Sequence, residues 1–154
     1  MNKYLFKGNF LYYVRLIKKL FQQSLSQAAE QCGLTFPEAD VLSFLRENSE
    51  FDTARDVSIY REVSKGYVSK AVELLVKRGY IEILRDSTDR RIQHLKITGN
   101  AKNAVNNLHK AQFAFYEKVT KNLTNKELSS MLSTIEKCAG NVVSEIKRLK
   151  IEDE

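Results

Sequence analysis

The chain has 154 residues, of which 43% are hydrophobic and 29% are charged, with only one proline and six glycines. This composition excludes a disordered chain, a collagen and a disulfide-linked scaffold, and the scarcity of turn-forming residues favours helices. Cys32 and Cys138 form neither a CxxC pair nor a zinc-binding spacing, a pattern that suits the reducing cytoplasm. No apolar run reaches the length of a membrane span, and basic residues interrupt the N-terminal segment, unlike a signal peptide. We therefore expect a cytoplasmic protein with no membrane association.

The positive charge of the chain is unevenly distributed. The formal net charge is +6. Residues 55–98 hold ten basic and six acidic side chains, whereas residues 1–54 hold six of each. A basic patch concentrated in one segment is typical of nucleic-acid binding, but a solvated surface gives the same count.

The first predicted helix covers residues 9–31 and has a wide apolar surface. One stripe repeats at helical spacing from Phe10 to Ala28, and Tyr13, Leu16 and Leu20 form a second stripe beside it. Gly33 is expected to end the helix. The pattern predicts either a core helix or a helix that also packs against a second subunit.

Two further helices are predicted from capping residues and apolar spacing. Thr35 and Glu38 form a capping box that opens the second helix. The buried stripe of this helix consists of Val41, Leu42 and Leu45. A short helix follows at about residues 53–60, with Val57 and Tyr60 directed inward.

A fourth helix begins after Ser64, which is a good N-cap, and runs to about Arg78. Its predicted buried face comprises Val68, Ala71, Val72 and Leu75. Its opposite face is largely basic and comprises Lys65, Gly66, Tyr67, Ser69, Lys70, Glu73 and Lys77.

A change of period then predicts a β-hairpin. Residues 80–85 form the first strand, with Ile81 and Ile83 on one face, and residues 91–97 form the second, with Leu95 and Ile97 inward. Residues 86–90 make the polar turn between them. His94 is expected to be exposed.

Two helices close the chain. The first has an apolar face made of Ala101, Ala104, Val105, Leu108, Ala111, Phe115 and Val119. Thr124 and Glu127 form a capping box that opens the second. The second has an apolar face of Leu128, Met131, Leu132, Ile135, Ala139, Val142, Ile146 and Leu149, and Cys138 is expected in a packed core. Such a long amphipathic helix favours a dimer interface built together with the first helix.

The order of helix, short helix, capped helix and hairpin predicts a winged helix-turn-helix: a mainly α fold with a small β-hairpin wing. Several motifs of the chain resemble those of a known family. They are Leu34-Thr35 with Val41-Leu42, Val63 to Lys70, Leu75 to Ile81, and Asp86-Ser-Thr-Asp-Arg-Arg91 followed by Leu95-Lys-Ile-Thr98. Over nearly its whole length the chain resembles the MarR family of transcriptional regulators. The short third helix matches least well, because Ser58 stands where alanine is common.

The resemblance implies a homodimer whose first and last helices intertwine. Residues 1–33 and 99–154 then form a helical dimerisation region, and residues 34–98 form the DNA-binding domain. It also implies double-stranded DNA as the partner, contacted by Ser64, Lys65, Gly66, Tyr67, Ser69, Lys70, Arg90 and Arg91. Arg91 matches the wing arginine that enters the minor groove, and Asp86 and Asp89 support the wing. Tyr67 has the alternative of packing against a neighbouring helix.

Further implications of the family concern effectors. A small aromatic or lipophilic effector is expected in a pocket lined by Tyr12, Tyr13, Phe113 and Phe115. The expected function is repression from a near-palindromic operator, relieved by this effector. Redox control through Cys32 and a winged-helix module that binds protein instead of DNA are the alternatives. Zinc held by Cys32, Glu30 and His109 is disfavoured because no ligand spacing supports it, so no cofactor is expected. No catalytic motif such as GxSxG or HExxH occurs, so the chain is not expected to be an enzyme.

Overall fold

The structure is a computed structural model that describes the backbone of residues 9–152 and the side chains of that range except those of residues 147 and 149–152. The described elements are α1 (Asn9–Gln31), α2 (Phe36–Glu47), α3 (Ala54–Arg61), α4 (Lys65–Lys77), β1 (Ile81–Arg85), β2 (Gln93–Ile97), α5 (Lys102–Val119) and α6 (Asn125–Glu152), with a 3-10 turn at Gly99–Ala101. They form the mainly helical winged helix-turn-helix that the sequence predicts. Residues 1–8 and 153–154 of the predicted dimerisation region, and the side chain of Leu149, lie outside the described residues.

The chain divides into two compact units, one ending at Tyr116 and one beginning at Glu117. The first unit has a hydrophobic core to which every helix from α1 to α5 and both strands contribute. Its largest fully buried apolar side chains are Phe44, Leu25, Leu42, Leu75 and Leu108. The second unit contains α6, on which the apolar side chains from Met131 to Ile146 are exposed.

Helix α2 begins and is held in place through Glu38. Gly33 ends the preceding segment in the left-handed region at φ +66, where a glycine carries no penalty. The Glu38 carboxylate accepts hydrogen bonds from the Thr35 amide and hydroxyl, as the predicted capping box requires. It also accepts a 2.6 Å hydrogen bond from Arg78 Nε. Burial favours the neutral acid, but the hydrogen bonds of Thr35 and Arg78 outweigh it and lower the pKa of Glu38. The start of α2 is thereby tied to the end of α4.

The turn between α3 and α4 explains the departure at Ser58. The Ser58 hydroxyl donates a 2.7 Å hydrogen bond to the Val63 carbonyl, and the Val63 amide donates to the Ser58 carbonyl at 3.1 Å. Glu62 adopts the left-handed conformation at φ 53, which turns the chain sharply. Ser64 then caps α4 by accepting a 3.1 Å hydrogen bond from the Tyr67 amide. A serine at position 58 therefore stabilises this turn in a way that alanine cannot.

The hairpin is antiparallel, with Ile83 opposite Leu95 and Leu84 opposite His94. The prediction for the second strand was wrong at its start, because β2 begins at Gln93 and not at Arg91. The turn is longer than predicted because of hydrogen bonds within it. The Asp86 amide donates to the Ile92 carbonyl, and the Ile92 amide donates to the Asp89 carbonyl. These bonds keep Arg91 out of the ladder.

Four predicted burial states differ from the structure. Tyr60 is 55% exposed and contacts Phe51 at the surface, with the two ring centroids 4.7 Å apart and the rings tilted by 44°. Ile83 is 42% exposed, because only the first residue of β1 reaches the core. Cys138 is exposed on α6 and not in a packed core. His94 is half-buried and hydrogen-bonded, for reasons given below. In each case periodicity identifies a face of the element but not the neighbour that covers it.

Candidate nucleic-acid interface

The N-terminal turns of α4 present a polar, basic surface. Ser64, Lys65, Gly66, Ser69 and Lys70 are all exposed. A Cβ atom added at Gly66 would meet no other atom of the chain within 4 Å, so internal packing does not require glycine there. The opposite face buries Val68, Ala71, Val72 and Leu75, as predicted. Burial of that face holds the basic face outward.

Tyr67 is placed differently from its polar neighbours. It is half-buried and packs against the hydrophobic core of the first unit. Burial, together with the negative charge of Asp40, raises the pKa of Tyr67 to about 12. This position favours the packing alternative over a contact with DNA.

The tip of the hairpin is organised by Asp86. Its Oδ1 atom accepts hydrogen bonds from the Thr88 amide at 2.7 Å and the Asp89 amide at 2.8 Å. The Thr88 hydroxyl donates to the same oxygen. The hydrogen bonds of Thr88 and Asp89, with a further one from His94, hold the pKa of Asp86 well below its usual range. Asp86 therefore stays ionised and keeps the turn closed.

Arg91 projects from this turn into solvent. Its side chain is 91% exposed. The Asp89 carboxylate accepts from Arg91 Nε at 3.0 Å and from Nη2 at 2.9 Å, and its Oδ1 also accepts from the Arg91 amide at 3.0 Å. This bidentate pair lowers the pKa of Asp89 and raises that of Arg91. Asp89 thus orients the guanidinium without covering it, and Arg90 beside it is exposed.

The hairpin is joined to the start of α3 by contacts that the sequence does not reveal. Thr53, the N-cap of α3, forms an isolated β-bridge with His94. The Leu95 amide donates a 2.7 Å hydrogen bond to the Asp52 carbonyl. His94 Nδ1 lies 2.6 Å from Asp52 Oδ1, and its Nε2 lies 3.2 Å from Asp86 Oδ2. Asp52 and His94 are 42 positions apart, so no local spacing could have signalled this contact.

The segment that carries this interface matches a known family. A sequence profile of the MarR family matches residues 33–92, which run from the end of α1 to the turn before β2. Residues 33–92 thus carry the winged helix-turn-helix segment of the MarR family. The match covers α4 and the turn that holds Arg91, so this winged helix-turn-helix is that of a family of DNA-binding transcription regulators.

Solved structures of MarR-family proteins share the fold at low identity. A MarR-family transcriptional regulator from Silicibacter pomeroyi is 19% identical, with a TM-score of 0.78 over 88% of this chain and 91% of its own. MepR from S. aureus, in complex with DNA, is 18% identical, with a TM-score of 0.71 over 86% of this chain and 96% of its own. CouR from Rhodococcus jostii RHA1, bound to p-coumaroyl-CoA, is 17% identical, with a TM-score of 0.71 over 86% and 92%. None of the curated proteins compared matches the sequence.

The four residues predicted to line an effector pocket do not all come together within a single described chain. Phe115 is buried, with its ring centroid 5.3 Å from that of Phe21. Tyr12 and Tyr13 contact each other and are each 55% exposed, while Phe113 is 59% exposed. Phe115 therefore belongs to the core, whereas Tyr12, Tyr13 and Phe113 lie on the surface of the chain.

A different cavity, of about 460 Å³, lies in the first unit where α1, α2 and the α3–α4 turn approach one another. Four aromatic rings line it, those of Phe21, Phe36, Tyr60 and Tyr67, together with polar groups that include Gln22, Asp40 and Arg61. Arg61 Nε lies 3.2 Å from Asp40 Oδ1, but no hydrogen bond to Nε or Nη2 forms among the described residues. Burial raises the pKa of Asp40, with the charge of Arg61 opposing it. Sequence patterns did not identify this cavity, because its walls come from four separate elements.

Cys32, Glu30 and His109 are the candidate residues for metal or redox chemistry. Cys32 is half-buried, with its Sγ 3.7 Å from Asn107 Nδ2, and His109 is exposed on α5. In the described part of the chain, no three His, Cys, Asp or Glu side chains are grouped to hold a metal ion. Within residues 9–152, no helix is long and apolar enough to cross a membrane.

Proposed function

We propose that the chain binds a near-palindromic DNA operator as a homodimer and represses transcription until a small molecule releases it. The observation that carries this proposal is the exposed pair of basic elements, the start of α4 and the wing tip with Arg91. The similarity of the fold to that of MepR, which is known in complex with DNA, supports it. A cytoplasmic location is part of the same proposal, since the protein must reach the DNA that it regulates.

Each basic element suits a different groove. A major groove admits one helix, and the N-terminal residues of that helix reach the base edges. Lys65, Ser69 and Lys70 are proposed to make these contacts from α4. An arginine on a hairpin fits the narrow, electronegative minor groove, and this is the role proposed for Arg91. Arg90 is proposed to contact phosphate, which supplies affinity but not sequence choice.

A second copy of the chain is the proposed partner of the apolar surface of α1. Every large apolar side chain from Phe10 to Leu20 is between 39% and 63% exposed. The exposed apolar side chains of α6, from Met131 to Ile146, form a second surface of the same character. Monomeric proteins rarely leave patches of this size in water. Two-fold pairing through these helices would bring two copies of α4 to half-sites about 34 Å apart.

Selection from randomised duplex DNA tests the proposal. The full chain is incubated with the duplex library at two salt concentrations, and bound sequences are recovered and sequenced. We expect enrichment of one near-palindromic sequence, with affinity that falls as salt rises because phosphate contacts release counterions. Uniform binding without any enriched sequence would contradict sequence-specific regulation, and the absence of binding would contradict DNA binding.

The effector is proposed to occupy the cavity between α1, α2 and the α3–α4 turn. Its aromatic walls suit an aromatic ring. The guanidinium of Arg61 is ion-paired with Asp40 and Glu47, but its Nε and Nη2 make no hydrogen bond among the described residues and could donate to an acidic or carbonyl oxygen. Tyr67 of α4 forms part of the wall, so a ligand in the cavity contacts the helix that is proposed to bind DNA. CouR, a relative of the same fold, is known with p-coumaroyl-CoA bound.

A cavity-blocking variant tests the effector site. Gln22 lines the cavity, whereas its exposed neighbour Gln23 does not, so Gln22→Trp and Gln23→Trp form a matched pair. Small aromatic acids such as benzoate are screened by thermal shift and by release of the selected duplex. We expect compounds that raise the Tm of wild type and of Gln23→Trp by a few degrees to have no effect on Gln22→Trp. An equal shift in both variants would place the ligand elsewhere.

A further inference from the structure

His94 lies between two carboxylates that belong to separate segments. Asp52, 2.6 Å from Nδ1, comes from the loop before α3, and Asp86, 3.2 Å from Nε2, comes from the wing turn. The side chains of His94, Asp52 and Asp86 are 33%, 36% and 25% exposed, respectively. Water therefore reaches these contacts but does not replace them. Both ring nitrogens therefore have a hydrogen-bond acceptor in place.

Two acceptors require two donors. A neutral imidazole has one N–H and one lone pair, and only the imidazolium donates from both nitrogens. A neutral His94 would leave one carboxylate facing a lone pair. The hydrogen bond to Asp52, followed by that to Asp86, accordingly raises the pKa of His94 above its ordinary value.

The groups that face His94 come from each element beside it. The loop before α3 contributes Asp52 and the wing turn contributes Asp86, and these two carboxylates are its electrostatic partners. Strand β1 places the aliphatic Leu84 opposite His94, and Thr53 at the cap of α3 pairs with its backbone. The protonation of His94 is thus set by the two acidic groups that it joins.

The contact continues from His94 to Arg91. One oxygen of Asp86 accepts from His94, while the other accepts from the amides of Thr88 and Asp89. Asp89 in turn holds the Arg91 guanidinium by two hydrogen bonds. A continuous series of hydrogen bonds therefore runs from Asp52, just before α3, through His94, Asp86 and the backbone amide of Asp89 to the arginine at the wing tip.

We propose that protonated His94 is a positioning residue, which locks the wing tip to the helix-turn-helix and so holds Arg91 in its DNA-binding orientation. The inference rests on the proposed DNA-binding function. Loss of the proton breaks one of the two hydrogen bonds and frees the tip. Because the pKa of His94 is raised in the locked form, the lock is complete below the ordinary histidine pKa of about 6.5 and is lost as pH rises through the raised value. Duplex affinity is therefore expected to fall with rising pH.

Nuclear magnetic resonance of the ¹⁵N-labelled full chain tests the protonation directly. The chain has two histidines, so His109→Gln leaves His94 as the only imidazole signal. We expect both ring nitrogens of His94 to be protonated at about pH 6 and to titrate above the ordinary histidine range. Asp52→Asn is expected to move this titration to lower pH. A His94 ring that is neutral at about pH 6 would overturn the inference, whether or not any variant binds DNA.

Duplex binding tests the functional consequence. A fluorescein-labelled duplex of mixed sequence is titrated with wild type, His94→Gln and the control His109→Gln, at constant ionic strength. We expect wild type and the control to bind about fivefold more tightly at about pH 6 than at about pH 8.5. His94→Gln, whose fold is checked by circular dichroism, is expected to bind at the weaker level at both pH values. The same pH profile in His94→Gln as in wild type would overturn the inference.

Duplex binding by Asp52→Asn separates positioning from simple charge. If His94 acted only as one more positive charge, Asp52→Asn would remove a nearby negative charge and bind the duplex more tightly at every pH. Positioning predicts weaker binding of Asp52→Asn at about pH 6, with the drop in affinity shifted to lower pH. Absence of duplex binding by wild type at both pH values would overturn the proposed function, and the inference with it.

Discussion

Arg91→Ala is expected to weaken binding to the selected operator by about 2 kcal/mol, or roughly thirtyfold, while the chain remains folded. The side chain is 91% exposed and its hydrogen bonds go to the exposed turn, so its removal leaves no buried group unpaired. Affinity falls because the variant lacks the guanidinium that Asp89 orients toward the minor groove. Fluorescence anisotropy with the selected duplex measures the affinity, and thermal unfolding checks the fold.

Two variants separate the groove contact from charge alone. Arg85→Ala removes an exposed positive charge from β1 and is expected to cost only a small, salt-dependent amount of affinity. Arg91→Lys keeps the charge but loses the planar fork that pairs with Asp89, and it is expected to recover only part of the loss. Wild-type affinity in Arg91→Ala would remove this residue from the DNA interface.

Ile17→Asp is expected to give a monomer and to lower operator affinity by about a hundredfold or more. Ile17 is 46% exposed in the centre of the apolar surface of α1, so an aspartate there costs the folded chain little. In a dimer interface, the same carboxylate is buried without a partner and pairing is lost. A monomer engages one half-site, and the gain from binding both at once disappears.

Light scattering and operator titration measure the two consequences together. Wild type is expected at twice the chain mass of 17.8 kDa. Gln23→Asp introduces the same charge at an exposed polar position of α1 and is expected to remain a dimer with wild-type affinity. A dimeric Ile17→Asp would mean that α1 does not form the interface.

Interactions between residues that are close in the chain could be predicted correctly. The bounds of α1, and the caps at Thr35, Ser64 and Thr124, agree with the structure. A capping hydrogen bond spans three residues, so its partners are adjacent whatever the rest of the chain does. The motif at Asp86 to Arg91 behaves in the same way, since its hydrogen bonds join residues two or three positions apart.

Interactions between distant segments could not be predicted. The prediction that His94 is exposed was wrong. Strand alternation gives the face on which a side chain lies, but not what packs opposite that face. Asp52 reaches His94 only because the loop before α3 packs beside β2. The aromatic residues predicted to line an effector pocket show the same limit, since helical spacing does not say which neighbouring helix covers a ring.

Short-range patterns in the sequence therefore predicted the order of the elements, most of their ends, the resemblance to the MarR family and the basic residues of α4 and the wing tip. These follow from contacts within a turn or from residue types in a short motif. Three features became visible only in the folded chain: Tyr67 packs inward, Arg61 and Asp40 share a cavity wall with it, and His94 bridges two acids. Those facts depend on which elements lie side by side, and that arrangement is set by the burial of the whole core and not by any single segment.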